Sequence, residues 1–174
     1  VFFQKKLEEQ ENRYKRHGNT EYNLEPNVKE TPGGLRDLQL IDWISTHFFK
    51  KNDRRQLVSN KILSESDLDL LRNNESFLWR VRYEIHLHAN RIEERLLFDY
   101  QTYLAKKLGY FEEKKSLGVE RFMQDYYRVV SSTRELTDMI LKWFGEQLKK
   151  KQDNTIDKYN ERFVIHNGFI AVSY

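Results

Sequence analysis

The chain contains one unusual stretch, which reads Glu25-Pro26-Asn27-Val28-Lys29-Glu30-Thr31-Pro32-Gly33-Gly34-Leu35-Arg36-Asp37-Leu38-Gln39. It holds both prolines and two of the seven glycines of the 174 residues. Each proline biases the residue before it toward an extended conformation. The glycine pair permits positive φ angles and lets a ligand approach bare backbone. We therefore expect a loop over residues 17–33, followed at once by a helix.

This loop has the composition of a phosphate site. Backbone N–H groups at a helix start attract anions, and Lys29 and Arg36 flank the glycine pair. Arg36 suits bidentate contact with phosphate oxygens. The alternative for Gly33 and Gly34 is a plain turn that orients the helix, and the alternative for the two cations is a solvated surface position.

Asp37 lies where an apolar residue is expected. At about 100° per residue, it falls at the centre of a stripe of apolar residues in the second helix. The stripe consists of Leu40, Ile41, Ile44 and Phe48. Because a carboxylate on an apolar face needs a partner, Asp37 predicts a salt bridge to Arg82 or Arg95 that fixes the loop. The alternatives are acceptance of first-turn amides, which complements the helix dipole, or a metal-ligand role.

Six helices are expected, over residues 2–16, 34–50, 54–60, 65–90, 99–109 and 117–150. Ser64, followed by acidic residues, is a good N-cap for the fourth helix. Asp99 reads as the N-cap of the fifth, which ends at Gly109, a natural left-handed position. Ser116 is expected to open the last helix.

The fourth helix has an apolar stripe expected to be buried, made of Leu71, Leu78, Val81, Ile85 and Ala89. We expect Trp79 in the core, and Arg82 at the edge of the stripe beside Trp79 and His86. His86 and His88 are two residues apart and point to different faces of a helix, which argues against a histidine metal site.

The expected fold is an all-α bundle of about five or six helices with a short C-terminal β-hairpin. The hairpin follows from the Asn167-Gly168 pair between apolar runs. Residues 1–150 are expected to form the helical domain. Residues 151–174 are expected to be a linker and hairpin that lead to a further domain.

Composition excludes several classes of protein. The chain has no cysteine, which excludes disulfides and thiolate metal sites and is compatible with the cytoplasm. No apolar run approaches the ~20 residues of a membrane span, so a soluble protein with no membrane partner is expected. The net charge of +3 is interspersed with acidic residues, which argues against a nucleic-acid partner.

Four motifs resemble one family, the bacterial PII uridylyltransferase/uridylyl-removing enzymes. The first is the stretch at residues 25–39, which is similar to the family's EPN-K-PGGLRDLQ segment. The others follow in the same order as in the family. They are Phe77-Leu78-Trp79-Arg80-Val81-Arg82 with His86, Arg95-Leu96-Leu97-Phe98-Asp99 with Gln101, and Val119-Glu120-Arg121-Phe122-Met123-Gln124-Asp125-Tyr126-Tyr127.

The resemblance covers nearly the whole chain and implies the helical segment that follows a nucleotidyltransferase core. It implies transfer of UMP from UTP to a tyrosine of the PII signalling protein in nitrogen regulation, with Mg²⁺ in the parent enzyme and its other domains as partners. It also implies an active-site loop and a second tier of residues, with no catalytic residue or metal ligand in this chain. The loop residues are Lys29, Gly33, Gly34, Arg36 and Asp37, and the second tier is Arg82, His86, Arg95 and Asp99.

The chain departs from the superfamily pattern. No Gly-Ser turn followed by Asp-x-Asp precedes Pro32, and Asp67-Leu68-Asp69, which has the Asp spacing, falls in a predicted helical turn with no Gly-Ser before it. The family's His-Asp phosphohydrolase and ACT domains are not found in the sequence. We therefore expect part of a longer enzyme, inactive by itself.

Two other interpretations remain at this point. One is the equivalent segment of a glutamine synthetase adenylyltransferase, where a similar Gly-Gly-Ile-Arg-Glu block occurs. The other is a non-catalytic helical module that docks a regulatory protein. If Lys29, Arg36 and the glycine pair converge on an open concavity, a nucleotide-binding role is favoured. If they pack under the first helix, a scaffolding role is favoured.

Overall fold

A computed structural model describes residues 1–111 and 117–153 and three short strands, with side chains placed up to residue 150 apart from 112–116. The described part contains six helices: α1 Phe2–Arg16, α2 Leu35–Phe49, α3 Arg55–Ser59, α4 Glu65–Ala89, α5 Phe98–Lys107 and α6 Gly118–Asp153. The strands are β1 Ile156–Lys158, β2 Phe163–His166 and β3 Phe169–Val172. The predicted all-α bundle is confirmed.

The chain forms two compact units, Val1–Asp138 and Met139–Tyr174, with the boundary inside α6. In the second unit, β2 pairs antiparallel with both β1 and β3. The pairing of β2 with β3 places Ile165 opposite Ile170, the arrangement expected of the predicted hairpin. Its turn, Asn167-Gly168, lies outside the described residues. The predicted domain boundary at residue 150 stays a prediction.

Helices α1 and α2 lie antiparallel. Near the start of α1, the Phe2 ring stacks on His47 near the end of α2, with centroids 4.5 Å apart. Near the end of α1, Arg13 bonds to Asp37 in the first turn of α2. Because α1 is polar, it is held on α2 by these specific contacts rather than by a broad apolar face.

Helix α4 begins with the predicted cap. The Ser64 hydroxyl accepts the Asp67 N–H at 3.1 Å, and the Asp67 carboxylate accepts the Ser64 N–H at 3.0 Å. This reciprocal capping box satisfies two backbone donors at the helix start. Asp67-Leu68-Asp69 therefore belongs to the beginning of α4, as expected.

The predicted start of α5 is wrong by two residues. Leu97 is the N-cap, and Asp99 lies exposed inside the first turn. The physical reason is tertiary: the Glu25 carboxylate, from the loop before α2, accepts the Phe98 N–H at 3.1 Å and caps the helix from outside. The end at Gly109 is confirmed, since its φ is +86°. Ser116, the predicted start of α6, lies outside the described residues.

The core of the first unit is formed mainly by buried apolar residues of α2, α4 and α6. The buried apolar residues include Leu38 and Ile41 of α2, Leu71, Leu78, Val81 and Ile85 of α4, and Phe122, Tyr126 and Val130 of α6. The buried Asn74 amide ties α4 to α6 by donating to Ser132 and Thr133 at 2.9 and 3.0 Å. No helix in the described part of the chain has an apolar stretch long enough to cross a bilayer.

The core position predicted for Trp79 is wrong. Its side chain is 43% exposed, on the flank of the buried stripe of α4. Tyr83 and Leu87, four and eight residues further along the helix, are exposed on the same side. The tryptophan instead lies beside Arg82, whose guanidinium carbon is 5.0 Å from the ring centroid. Size and aromaticity suggested burial, but the helical face decides it.

The loop before α2 is built into the fold by two contacts. Residues 26–28 pair with residues 94–96, through Val28 N–H to the Glu94 carbonyl and Leu96 N–H to the Pro26 carbonyl, both at 2.8 Å. At the other end of the loop, Gly33 has a φ of +77°, and a Cβ there would lie 1.9 Å from the Val130 carbonyl oxygen of α6.

We expect Gly33→Ala to destabilise the chain by about 2–5 kcal/mol. About 1–2 kcal/mol comes from the left-handed conformation, and about 1–3 kcal/mol comes from overpacking against α6. Gly109→Ala is the matched control, because Gly109 also has a positive φ but no atom lies within 4 Å of the place that a Cβ would take. It should lose only about 1–2 kcal/mol. Urea unfolding of both variants measures the difference, and equal losses would contradict this account.

Candidate functional site

Asp37 is the centre of a buried cluster that joins α1, the loop and α2. Its side chain is fully buried. Arg13 Nη2 donates to Oδ1 at 2.7 Å, while the Tyr14 hydroxyl and the Gly33 N–H both donate to Oδ2 at 2.6 Å. We call Arg13, Tyr14, Gly33 and Asp37 the Asp37 cluster.

The predicted salt bridge of Asp37 therefore exists, but both predicted partners are wrong. Arg82 pairs with Glu94, and Arg95 pairs with Glu25 at 3.2 Å. The partner is Arg13 of α1, which is itself fully buried. Asp37 also accepts a backbone amide, from Gly33 just before the helix rather than from the first turn.

Arg13 connects the Asp37 cluster to two partly exposed carboxylates, those of Glu9 and Glu30. Its Nη1 donates to the Glu30 carbonyl at 2.9 Å, and its Nε lies 3.5 Å from the Glu9 carboxylate and 3.9 Å from that of Glu30. A buried guanidinium requires compensating acceptors. The Glu30 carbonyl and Asp37 accept hydrogen bonds from Nη1 and Nη2, while Nε has no hydrogen-bond partner among the described residues and is near the two carboxylates only as an ion pair.

Tyr14 acts in the cluster as a hydrogen-bond donor. Burial, together with the negative charge of Asp37 and the hydrogen bond to it, raises the pKa of the Tyr14 hydroxyl above its usual range. The hydroxyl therefore keeps its proton at neutral pH. Its stable donation leaves Asp37 with three donors from three different residues.

The two glycine amides are used inside the loop. Gly33 N–H donates to Asp37, and Gly34 N–H donates to the Thr31 carbonyl at 2.9 Å. Both glycines are buried, and a Cβ on Gly34 would lie 2.7 Å from the Val28 carbonyl oxygen. The glycines therefore meet a packing requirement, and in this structure their N–H groups already have acceptors.

Lys29 and Arg36 lie at the surface edge of the loop, each with 30% of its side chain exposed. Both are near Glu30, at 3.8 Å for Lys29 Nζ and 3.6 Å for Arg36 Nη2. Arg36 Nη1 also donates to the Gln39 amide oxygen at 3.2 Å. These contacts hold two cations side by side without burying them.

A second group of charged residues surrounds Glu94, which sequence reasoning did not single out. Arg82 donates to both Glu94 carboxylate oxygens, at 2.7 and 2.6 Å. His86 Nε2 lies 3.9 Å from the same carboxylate. Burial raises the pKa of Glu94, but the Arg82 hydrogen bonds and charge, with the charge of Lys29, outweigh this and lower it below its usual value.

The structure thus brings together some of the predicted site residues and separates others. Lys29 and Arg36 meet at Glu30, while Arg82 and His86 meet at Glu94, next to the backbone pairing of residues 26–28 with 94–96. Arg95 and Asp99 are exposed and outside both groups. A ligand-binding role for any of these residues stays a prediction.

The described side chains contain no cluster of three or more histidine, aspartate or glutamate residues that could hold a metal ion.

A family model described as GlnD PII-uridylyltransferase matches residues 1–141. The chain belongs to this family. No solved structure matches it significantly.

Curated relatives agree with the family assignment. A bifunctional uridylyltransferase/uridylyl-removing enzyme from Pseudomonas syringae pv. tomato is 46% identical over 172 residues, which cover 99% of this chain and 19% of the relative. Enzymes of the same name from Pseudomonas aeruginosa (strain LESB58) and Legionella pneumophila (strain Corby) are 45% and 42% identical, over 99% and 98% of this chain. The chain spans about a fifth of the length of these relatives.

Within this member of the family, Arg13 is the site residue that sequence reasoning missed. A usable indication was present: Lys6, Gln10 and Arg13 recur at i, i+4 and i+7, so they share one side of a helix that has little apolar surface. A carboxylate on an apolar stripe calls for a cation of matching burial. Composition alone does not choose among many arginines, because the choice depends on how α1 packs on α2.

We expect Asp37→Ala to destabilise the chain by about 3–5 kcal/mol, because it leaves the Arg13 guanidinium buried without its main partner. Asp69→Ala is the matched control, since Asp69 is also near a helix start but pairs with Arg72 on the exposed surface. It should cost about 1 kcal/mol or less. Chemical denaturation measures both, and a small loss for Asp37→Ala would show that the buried pair contributes little.

Proposed function

We propose that this chain is the helical part of an enzyme that transfers UMP from UTP to a tyrosine of the PII signalling protein in the bacterial cytoplasm. In that reaction the phenol oxygen forms a bond to the α-phosphorus of UTP, the bond from that phosphorus to the bridging oxygen breaks and releases pyrophosphate, and the phenol proton passes to solvent. Family membership over residues 1–141 supports the reaction class. The observation that carries the role of this chain is Arg36, a partly exposed cation next to the buried Asp37 cluster.

The cluster and the surface cation have complementary roles in this proposal. Arg36 directly precedes Asp37 in the chain, so the contacts of Asp37 fix the backbone from which Arg36 extends. Transfer of a nucleotidyl group depends mainly on positioning and on stabilising charge at the phosphates. A guanidinium held at a fixed place by a rigid loop supplies both.

The glycine pair has a different role from the one expected for it. Since its amides are bonded within the loop and the first turn of α2, we assign phosphate contact to the side chains of Arg36 and Lys29 and assign the glycines to loop shape. The parent enzyme would obtain its Mg²⁺ ligands outside this chain. When bound, Mg²⁺ would stabilise charge on the phosphates of UTP.

A second candidate function is a helical module that docks another protein without taking part in catalysis. Two observations favour it: Gly33 packs against α6, and an apolar stripe on α4, formed by Trp79, Tyr83 and Leu87, is exposed. Substitution of Arg36 in the full-length enzyme separates the two candidate functions, because a docking module does not need a cation at the edge of the loop.

The isolated chain is expected to show no transfer of UMP to PII in the presence of UTP and Mg²⁺. The reason is that the proposal places the metal-binding carboxylates elsewhere in the parent enzyme. A radiolabelled-UTP assay measures transfer, with the full-length enzyme as the positive control. Turnover by the pure chain would contradict this division of roles.

In the full-length enzyme, Arg36→Ala should lower the rate of transfer by roughly ten- to hundredfold. This corresponds to loss of a charge-assisted contact worth about 1.5–3 kcal/mol. Arg36→Lys should recover little, because an ammonium does not reproduce the planar guanidinium. Uridylyl removal should be unchanged, since we assign that reaction to the separate His-Asp phosphohydrolase domain of the parent enzyme.

Arg72→Ala is the control for this experiment, because Arg72 is an exposed arginine that pairs only with Asp69 among the described residues. It should leave both activities unchanged. Equal loss of both activities by Arg36→Ala, with a lower melting temperature, would show that Arg36 is structural. Normal transfer kinetics would remove the loop from the active site and favour the docking module.

A further inference from the structure

An open groove of about 960 Å³ lies between the start of α1 and the exposed face of α2. We call it the Trp43 groove. It is lined by Phe2, Lys6, Arg36, Gln39, Asp42, Trp43, Thr46, His47 and Asn52. Apart from Arg36, none of these residues belongs to the predicted site. Most of the lining side chains are polar.

Two cations of the groove meet at one aromatic ring. Lys6 Nζ lies 4.0 Å from the Trp43 ring centroid, and the guanidinium carbon of Arg36 lies 5.6 Å from it. The indole is 37% exposed. A compact ammonium and a planar guanidinium near one ring can bind neighbouring oxygens of one phosphate chain, the first as a point charge and the second through paired N–H groups.

The positive charge of the groove is only partly neutralised. Its one carboxylate, Asp42, accepts from Arg54 with both oxygens, at 2.6 and 2.8 Å, and Arg54 also donates to Glu75. Among the described residues, the cations of α1 that pair with a carboxylate within 4.0 Å are Arg13 and Lys15, so Lys6 has no such partner. The nearest carboxylate to Arg36, Glu30, is 3.6 Å away and is shared with Lys29 and Arg13. The groove therefore has cationic charge available for an anion.

The groove also has flat aromatic surface. Trp43 is partly exposed, and the Phe2 ring stacks on His47 at the opposite end from Arg36 along α2. Aromatic faces stack with nucleobases of any sequence. Two cations beside such surfaces form the combination that binds a nucleotide: charge for the phosphates and a ring for the base.

We propose that the Trp43 groove is an oligophosphate-binding site that takes a nucleoside triphosphate, with Lys6 and Arg36 on the phosphate chain and Trp43 under the base. The inference rests on the proposed function for its choice of UTP, and it adds Lys6 and Trp43 as binding residues. Pyrophosphate carries the same phosphate chemistry without a base, so comparison of the two ligands identifies which part is recognised.

The test is isothermal titration calorimetry of the 174-residue chain with UTP, pyrophosphate and UMP at constant ionic strength. UTP and pyrophosphate should bind, UTP more tightly, and UMP should bind at least about tenfold more weakly than UTP. Lys6→Gln and Arg36→Gln should each weaken UTP binding by about tenfold or more, since each removes a charge-assisted contact. Glutamine keeps much of the aliphatic stem, and circular dichroism melting verifies folding.

Matched controls are available in the chain. Lys5→Gln removes the same charge from the neighbouring, exposed position on α1 and should leave UTP binding unchanged. Trp43→Leu should weaken UTP binding more than pyrophosphate binding. Trp79→Leu, at a second exposed tryptophan that lies beside an arginine, should change neither.

Absence of UTP binding, or equal effects of Lys5→Gln and Lys6→Gln, would overturn the groove as a site. Equal effects of Trp43→Leu and Trp79→Leu would overturn the role of the indole. The proposed function fails separately: loss of transfer in full-length Arg36→Ala with unchanged binding by Lys6→Gln would keep the function and remove the groove. Binding that depends on Lys6 and Trp43, with normal transfer by Arg36→Ala, would keep the groove and remove Arg36 from catalysis.

Discussion

The buried pair of Arg13 and Asp37 holds α1, α2 and the loop between them together. A carboxylate without water is stable only when charge and hydrogen bonds replace its hydration, and Asp37 obtains these from α1 through Arg13 and Tyr14 and from the loop through Gly33. The same contacts hold α1, which has little apolar surface, against α2. They also set the course of the loop, and with it the places of Lys29 and Arg36. Removal of the carboxylate would therefore affect two helices and a loop together.

Close packing constrains the backbone conformation of the loop as much as the charge of Asp37 does. Gly33 passes within van der Waals contact of α6, and Gly34 passes beside three carbonyl groups of its own loop, so neither position has room for a side chain. A sequence in which glycines precede a helix is typical of anion binding through backbone amides. Here those amides bond to Asp37 and Thr31, and the cations that remain at the surface are side chains. This is why the proposed phosphate contacts belong to Arg36, Lys29 and Lys6.

Residues that are distant in the chain share the same surface. Glu25 caps α5 and pairs with Arg95, while Glu94 lies on the segment that pairs with residues 26–28 and accepts both hydrogen bonds of Arg82. Glu94, which belongs to neither motif, therefore connects the first two motifs: its carboxylate accepts from Arg82 and its backbone carbonyl accepts from Val28. Trp79 and Arg82 lie together at this surface, so the tryptophan stabilises a charged group rather than the core.

The sequence by itself determined the local structure. Helical periodicity and the Ser64 cap predicted the bounds of α1, α2 and α4 closely, because apolar spacing, capping and glycine are local properties of the chain. The family motifs are likewise contained in the sequence, and so is the need of Asp37 for a partner. Only the tertiary structure decided that the partner is Arg13, that Glu25 rather than Asp99 caps α5, that Trp79 is exposed and that Lys6 meets Arg36 at Trp43. Each of these depends on how two distant segments pack, and a charged residue in a sequence carries no information on which of many opposite charges it will meet.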